Sequence, residues 1–208
     1  MRRPLRWHRL PSRRISSKMV NVGAVVAVTP SYGIGQSGTL PWVAAGTFLP
    51  SDLKYFRQIT AATADPNKMN VALMGRRTWL GIPEKNRPLK NRLNMVITSN
   101  EEFIKSLPEG VMVAKSLDNA IDIVTSSSQL IEKIENVIVV GGVRLFEEAL
   151  LHPKCTSYHV TELDTEFPCD TYLTQTNIDK LKSLKPKSMS ESITENGVTF
   201  RMKIFSNC

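Results

Sequence analysis

Val137-Ile138-Val139-Val140-Gly141-Gly142-Val143-Arg144-Leu145-Phe146 reads as a strand, a glycine pair and the start of a helix. Val137 to Val140 is apolar at every position, as expected of a strand covered on both faces. The glycines let a bound molecule lie against the backbone at the strand's carboxyl end, the usual ligand crevice of an open α/β sheet. A tight helix entry explains a Gly-Gly pair equally well, and the spacing is not that of a GxGxxG fingerprint. Val22-Gly23-Ala24-Val25-Val26-Ala27-Val28 is apolar in the same way. These two runs are the expected centre of the sheet.

Further β-branched, apolar runs lie at Met69 to Met74, Leu93 to Thr98, Val111 to Ala114, Thr156 to Leu163 and Val198 to Phe205. Helix-like stretches separate several of them, at Ser51 to Thr60, Arg76 to Leu80, Ser116 to Thr125 and Val143 to Leu150. This alternation predicts an α/β fold with a mostly parallel central sheet and helices on both faces. The last run alternates polar and apolar residues and follows Asn196-Gly197, a hairpin turn signal, so it is expected to be an antiparallel strand at the sheet edge. The polar stretch Ser126 to Gln129 reads as a loop.

The chain has 208 residues, a length for one well-buried core, and a formal net charge of +8. Seven of its 27 Lys and Arg residues fall in Met1 to Met19, leaving 20 against 19 acids in the body. A nucleic-acid-binding fold would keep its basic face inside the domain, so nucleic acid is not the expected partner. Residues 1–20 are read as a disordered leader or a mitochondrial presequence, since they combine arginine and serine with no acid. Met19 is an alternative start, and residues 21–208 form the expected domain. Localisation is accordingly cytoplasmic, or mitochondrial if the leader targets the chain. No run reaches the 18 apolar residues that a membrane span requires. Cys155, Cys169 and Cys208 show no CxxC spacing and fit a reducing compartment, and no His or Cys pattern predicts a metal.

Three more segments carry candidate chemistry. Gly33-Ile34-Gly35-Gln36-Ser37-Gly38-Thr39-Leu40-Pro41-Trp42 follows the first central strand and joins a flexible loop to apolar walls. It is also readable as an ordinary glycine-rich loop. In Ser51-Asp52-Leu53-Lys54-Tyr55-Phe56, Ser51 is a candidate cap, and Asp52, Phe56 and Ile59 share one helix face. An acid on an apolar face needs a partner, although an Asp in a first turn is also a common surface residue that complements the helix dipole. In Gly75-Arg76-Arg77-Thr78, a strand end presents two arginines with the geometry to meet phosphate, or simply a solvated basic turn.

Taken in order, these segments resemble dihydrofolate reductase. The matching strings are Val26-Ala27-Val28, Gly33-Ile34-Gly35, Leu40-Pro41-Trp42, Asp52-Leu53-Lys54-Tyr55-Phe56, Met74-Gly75-Arg76-Arg77-Thr78-Trp79, Ile82-Pro83-Glu84-Lys85-Asn86-Arg87-Pro88-Leu89, Val140-Gly141-Gly142 and Asp170-Thr171, over about Val22 to Phe205. The resemblance implies the fold of that family and the reduction of 7,8-dihydrofolate to 5,6,7,8-tetrahydrofolate with NADPH, supporting one-carbon and thymidylate metabolism. It makes Asp52 the active-site acid that holds the 2-amino group and N3 of the pterin, with Trp42, Leu40 and Thr161 beside it. Val26, Ala27, Leu53, Phe56, Ile82, Leu89, Val140 and Phe146 become substrate positions. Arg92 becomes the grip on the substrate's glutamate α-carboxylate, a task that suits a planar guanidinium.

For NADPH the same resemblance implies Ala27, Ile34, Gly38 and Gly75, then Arg76, Arg77 and Thr78 at the phosphates. It further implies Thr98, Ser99 at the 2′-phosphate, Val143, Arg144 and Leu145, and Gly141 and Gly142 as a cis-linked pair beside the nicotinamide. Hydride is expected to reach pterin C6 while water protonates N5, and closure of the Gly33 to Trp42 loop to exclude solvent. Partners are dihydrofolate and antifolate inhibitors, with no nucleic acid, membrane or metal, and the chain is expected to be a monomer. Three departures stand out: the stretch Val43 to Pro50 is longer than usual, Asn91 stands for a common glycine, and Phe146 for a common tyrosine. Two other readings remain, a related pyrimidine or pteridine reductase and a catalytically inactive folate- or nucleotide-binding module.

Overall fold

The computed structural model describes residues 20–206, so the leader up to Met19 and Cys208 lie outside the described residues. Val20, grouped above with the leader, is buried in the core.

Two central strands, β1 (Asn21–Val28) and β6 (Ile134–Gly141), lie side by side in parallel, with Val22 level with Val137. On the far side of β6 follow β3 (Met69–Gly75), β4 (Leu93–Ile97) and β5 (Met112–Ala114), all parallel. On the other side of β1 runs β7 (Cys155–Leu163), parallel to it, and then β11 (Val198–Ser206), antiparallel. The sheet is therefore mixed and mostly parallel, as expected. β9 (Pro186–Met189) and β10 (Ile193–Glu195), short strands not foreseen, share the outer edge of β11. Asn196 and Gly197, with φ of 50° and 78°, form the expected tight turn between β10 and β11.

Side chains of the central strands divide between two faces with the period of the pleat. Val71, Leu73, Val137, Val139 and Met95 enter one apolar cluster with residues of α5 (Leu117–Ser126) and α7 (Val143–Leu151). Ala72, Met74, Val96 and Val140 face the other way, with Trp79 of α3 (Arg76–Gly81). On that second face α1 (Pro41–Ala44) adds buried Trp42 to a third cluster, and α2 (Pro50–Ala61) packs on β1 and β3. Parallel strands buried on both sides explain why their sequences lack alternation.

Several elements escaped the sequence. Ser126 to Gln129 is not a loop: α5 ends at Ser126, and the Ser127 hydroxyl accepts the Leu130 N–H to start α6 (Ser128–Lys133). Leu130 and Ile131 pack on the core, which offsets the polar composition of that helix's start. The short helix α4 (Glu101–Lys105), the three-residue β2 (Gly33–Gly35), β8 (Thr171–Tyr172) and α8 (Gln175–Ser183) were also not foreseen. β2 pairs with β8 as a separate ribbon.

No helix among the described residues is long and apolar enough to cross a membrane. Asn177 of α8 is 1% exposed, and its side-chain amide has no hydrogen-bond partner; it borders a small cavity with Val26, Phe146, Leu150 and Leu181. An unpaired amide among apolar groups costs about 1–3 kcal/mol. Asn177→Leu should therefore raise the thermal midpoint by a few degrees, measured by differential scanning calorimetry; a lowered midpoint would show that the amide is satisfied in solution.

Candidate active site

Asp52 lies on the first turn of α2 and is 8% exposed. Its carboxyl group hydrogen-bonds the side chain of Thr161, a buried residue of β7 that sits level with Ala27 of β1. The acid thus joins the helix to the sheet. Burial pushes its carboxyl up from 3.8 to about 6, the Thr161 hydrogen bond pulls against that rise, and the negative charge of Glu195 adds to it. Desolvation prevails.

The path into this helix follows the long stretch after Trp42. Trp42 is 1% exposed, its carbonyl accepts the Thr47 N–H at 2.7 Å, and Leu49 is buried just before α2. Ser51 does not cap the helix. Pro50, whose fixed φ suits a first helical position, starts it one residue earlier, and the preceding Leu49 offers no side-chain acceptor. The Ser51 hydroxyl donates instead to Glu195 of β10 at 2.5 Å.

One turn beyond Asp52, the Tyr55 hydroxyl meets Nδ1 of His159 on β7 at 2.9 Å. Burial first, and then the Asp52 charge, raise the Tyr55 phenol to about 12; burial lowers His159 to about 4, so its imidazole is neutral at physiological pH. Neither residue was singled out in the sequence, although Tyr55, three residues after Asp52, carried the signal of a shared face. A separate cavity of about 360 Å³ lies toward the amino ends of the strands, where Gln58 and Ile59 of α2 face Asn136 and Ser157.

Beside Asp52's helix, Phe56, Ile82 and Leu89 are half-buried, while Leu40 and Leu53 are each 40% exposed. Ile82, Leu89 and Val140 pack on the cluster of Met74 and Trp79. Asn94 holds the segment that carries Leu89: its side chain accepts the Leu89 N–H and donates to the Leu89 and Arg92 carbonyls, at 2.8, 2.8 and 3.2 Å. Asn91, where a glycine is common in the family resembled, adopts a left-handed turn with φ 61°. Arg92 donates to the Lys90 carbonyl at 2.8 Å and to the Thr60 hydroxyl on α2. Burial, followed by the neighbouring charge of Arg57, lowers its guanidinium from the usual value. No carboxylate among the described residues pairs with it.

Val26 and Phe146 are placed differently. Both belong to the face of α7 and α8 and line the small cavity at Asn177, so only the Val26 backbone is available on the side of Asp52. The pleat explains this: Ala27 faces Asp52's side, and Val26, one residue earlier, faces the other. Leu145 is likewise buried in that far cluster.

Across the sheet, the carboxyl ends of β6 and β3 bring the glycines together. Gly141-Gly142 is cis-linked, and a Cβ on Gly75 would stand 3.8 Å from the Gly142 nitrogen. A Cβ on Gly141 would meet the Thr78 hydroxyl at 2.9 Å. Arg76 and Arg77 are exposed, as are Ser99 and Arg144, while Thr98 and Val143 are partly covered. Because Gly75 is level with Ile97, Thr98 and Ser99 emerge from the sheet beside Arg76.

The loop with Ile34 and Gly38 is anchored twice: Asp170 accepts the Ser37 N–H at 2.6 Å, and Glu166 accepts the Ser31 N–H at 3.0 Å and hydroxyl at 2.6 Å. Its tip reaches α3, where a Cβ on Gly81 would stand 2.2 Å from the Gly38 carbonyl oxygen; only glycine admits that approach. Among the described residues, no group of three His, Cys, Asp or Glu is placed to hold a metal ion.

Comparison with known proteins gives one answer. Residues 21–207 match the family model described as dihydrofolate reductase. The chain is 36% identical over 188 residues to the dihydrofolate reductase of Drosophila melanogaster, covering 89% of this chain and 97% of that protein. It is 41% identical over 181 residues to bifunctional dihydrofolate reductase-thymidylate synthase 1 of Arabidopsis thaliana, covering 87% of this chain but only 33% of that longer protein. Thus the chain spans about a third of the length of the bifunctional relatives it matches. The Schistosoma mansoni dihydrofolate reductase structure superposes with a TM-score of 0.75 at 32% identity, covering 90% of this chain and 98% of the other. On sequence and fold together, the chain belongs to the dihydrofolate reductase family.

Proposed function

We propose that this chain reduces 7,8-dihydrofolate to 5,6,7,8-tetrahydrofolate with NADPH, hydride going to C6 and a proton to N5. The observation that carries the reading is the buried Asp52 carboxyl, held by Thr161 beside apolar side chains. A carboxylate there accepts hydrogen bonds from an amino group and an adjacent ring N–H of a planar heterocycle, a pattern that fits the pterin 2-amino group and N3. Thr161 orients it. With a carboxyl near 6, Asp52 is mostly ionised at neutral pH and protonates in mild acid, so its charge can polarise the pterin while water delivers the proton to N5.

Phe56, Ile82 and Leu89 offer walls for the ring and its aromatic tail, and Arg92 a fork for the glutamate α-carboxylate. Arg57, not foreseen from sequence, adds a second positive charge nearby. The residues also fit NADPH: the backbone is open at Gly75, Gly141 and Gly142, and Arg76, Arg77, Thr98 and Ser99 lie at adjacent strand ends, where phosphates can be held. When bound, NADPH supplies the hydride. The Gly33 to Trp42 loop, seated on Gly81, excludes water. The reading takes the chain to act as a monomer in the cytosol or mitochondrion, with antifolate inhibitors competing for the pterin pocket.

Asp52→Asn should lower kcat/KM for dihydrofolate by about 10²- to 10⁴-fold at neutral pH, followed as loss of NADPH absorbance; undiminished turnover would move the acid's role to another residue. The same variant reports on stability. Since folding raises the Asp52 pKa from 3.8 to about 6, the protonated carboxyl favours the native state below pH 3.8, and that advantage is lost as pH rises through 6. Asp52→Asn should therefore be more stable than the wild type at pH 7.5, by up to roughly 3 kcal/mol in denaturant unfolding, with the gain gone near pH 3.5. An equal gain at both pH values would mean that charge is not its source.

Arg92→Ala should raise KM for dihydrofolate about 10- to 100-fold with little change in kcat, because a tail contact binds ground and transition states alike. A fall in kcat alone, measured under saturating substrate, would place Arg92 nearer the reacting ring.

A further inference from the structure

The first turn of α2 presents N–H groups with no intrahelical acceptor, and neither Leu49 nor Pro50 supplies one from its side chain. The missing acceptor comes from a distant part of the chain. Both carboxylate oxygens of Glu195 face the Ser51 N–H, at 3.0 and 3.2 Å, and one also takes the Ser51 hydroxyl at 2.5 Å. Next to Glu195, the Asn196 side-chain amide donates to the Phe48 carbonyl at 2.6 Å. Two successive residues at the β10–β11 turn thus fasten both sides of the entry to α2. The second strand of that hairpin also flanks Asp52's partner, with Met202 of β11 level with Thr161 of β7.

We propose that Glu195 is a positioning residue for Asp52, fixing where the acid stands through its contacts with the Ser51 N–H and hydroxyl at the start of α2. This rests on the reductase reading for its effect on turnover, though not for its effect on the acid itself. A negative charge at a helix N-terminus is favourable, so the capping contact and the dipole act together on Glu195. For Asp52 the consequence is different, because a second carboxylate nearby opposes its ionisation. The other groups that face the acid are few. α2 itself contributes Tyr55, β7 contributes Thr161 and, through Tyr55, a neutral His159, while β1 contributes Ala27, which does not titrate.

Glu195→Gln keeps an acceptor for the Ser51 N–H and removes the charge, whereas Glu195→Ala removes both. The test follows the Asp52 carboxyl by carbon-13 NMR titration, the Ser51 amide by hydrogen exchange, and kcat/KM for dihydrofolate against pH. In Glu195→Gln the Asp52 midpoint and the acid limb of kcat/KM should move to lower pH together, by on the order of half a unit. In Glu195→Ala the Ser51 amide should also exchange at least tenfold faster and KM should rise several-fold. Should the alanine variant not fold, the glutamine variant decides. An Asp52 midpoint unchanged in Glu195→Gln overturns the proposal even if activity falls, since that is what a merely structural contact would give. If the wild type fails to oxidise NADPH with dihydrofolate, the reductase reading falls, while the titration and exchange still judge Glu195.

Discussion

The hydrogen bond between Asp52 and Thr161 ties a helix to the sheet through a group that burial would otherwise drive to its neutral form. Desolvation opposes the charge and the Thr161 contact favours it, leaving a carboxyl that titrates near 6. Such a group would be a liability in the core of a sheet. It stands instead at the first turn of α2, toward the carboxyl ends of β1 and β7, where Thr161 supplies its hydrogen bond. The position of α2, the orientation of Phe56 and the place of Arg92 against Thr60 all depend on that helix being docked in this register.

The rest of the cleft is built by the same economy. A parallel sheet covered on both faces has no room for polar side chains in its middle, so the chemistry collects where strands end. Gly75 and Gly141 end β3 and β6, Thr98 directly follows β4, and their neighbours carry the arginines and hydroxyls. Carboxylates then fix the surrounding loops from a distance. Glu135 accepts the N–H groups of Ala64 and Asp65, Asp170 that of Ser37, and Glu195 that of Ser51. Each acid serves backbone donors that no regular element satisfies.

Much of this was legible in the linear order of residues. Unbroken apolar runs at Val22 to Val28 and Val137 to Val140 marked the sheet centre, because only strands buried on both faces lose their alternation. Asn196-Gly197 marked the last hairpin, because both residues tolerate positive φ. Asp52 was visible as an acid on an apolar helix face. What stayed hidden were short elements whose residues have no periodicity of their own, such as β2 with β8, and α8. The side-chain directions of Val26 and Phe146 also stayed hidden, since a family string gives the position of a residue along the chain and the packing gives its face.

The sequence by itself determined the class of fold and the family, because each depends on local pattern: apolar periodicity, turn chemistry and the order of short strings. Only the tertiary structure decided that Thr161 holds Asp52, that Tyr55 meets His159, that Asn94 pins the segment of Leu89 and Arg92, and that Glu195 caps Ser51 from 144 residues away. Those contacts join residues far apart in the chain through hydrogen bonds a few ångströms long. No spacing along a sequence encodes them, because their partners meet only after the sheet has set its register.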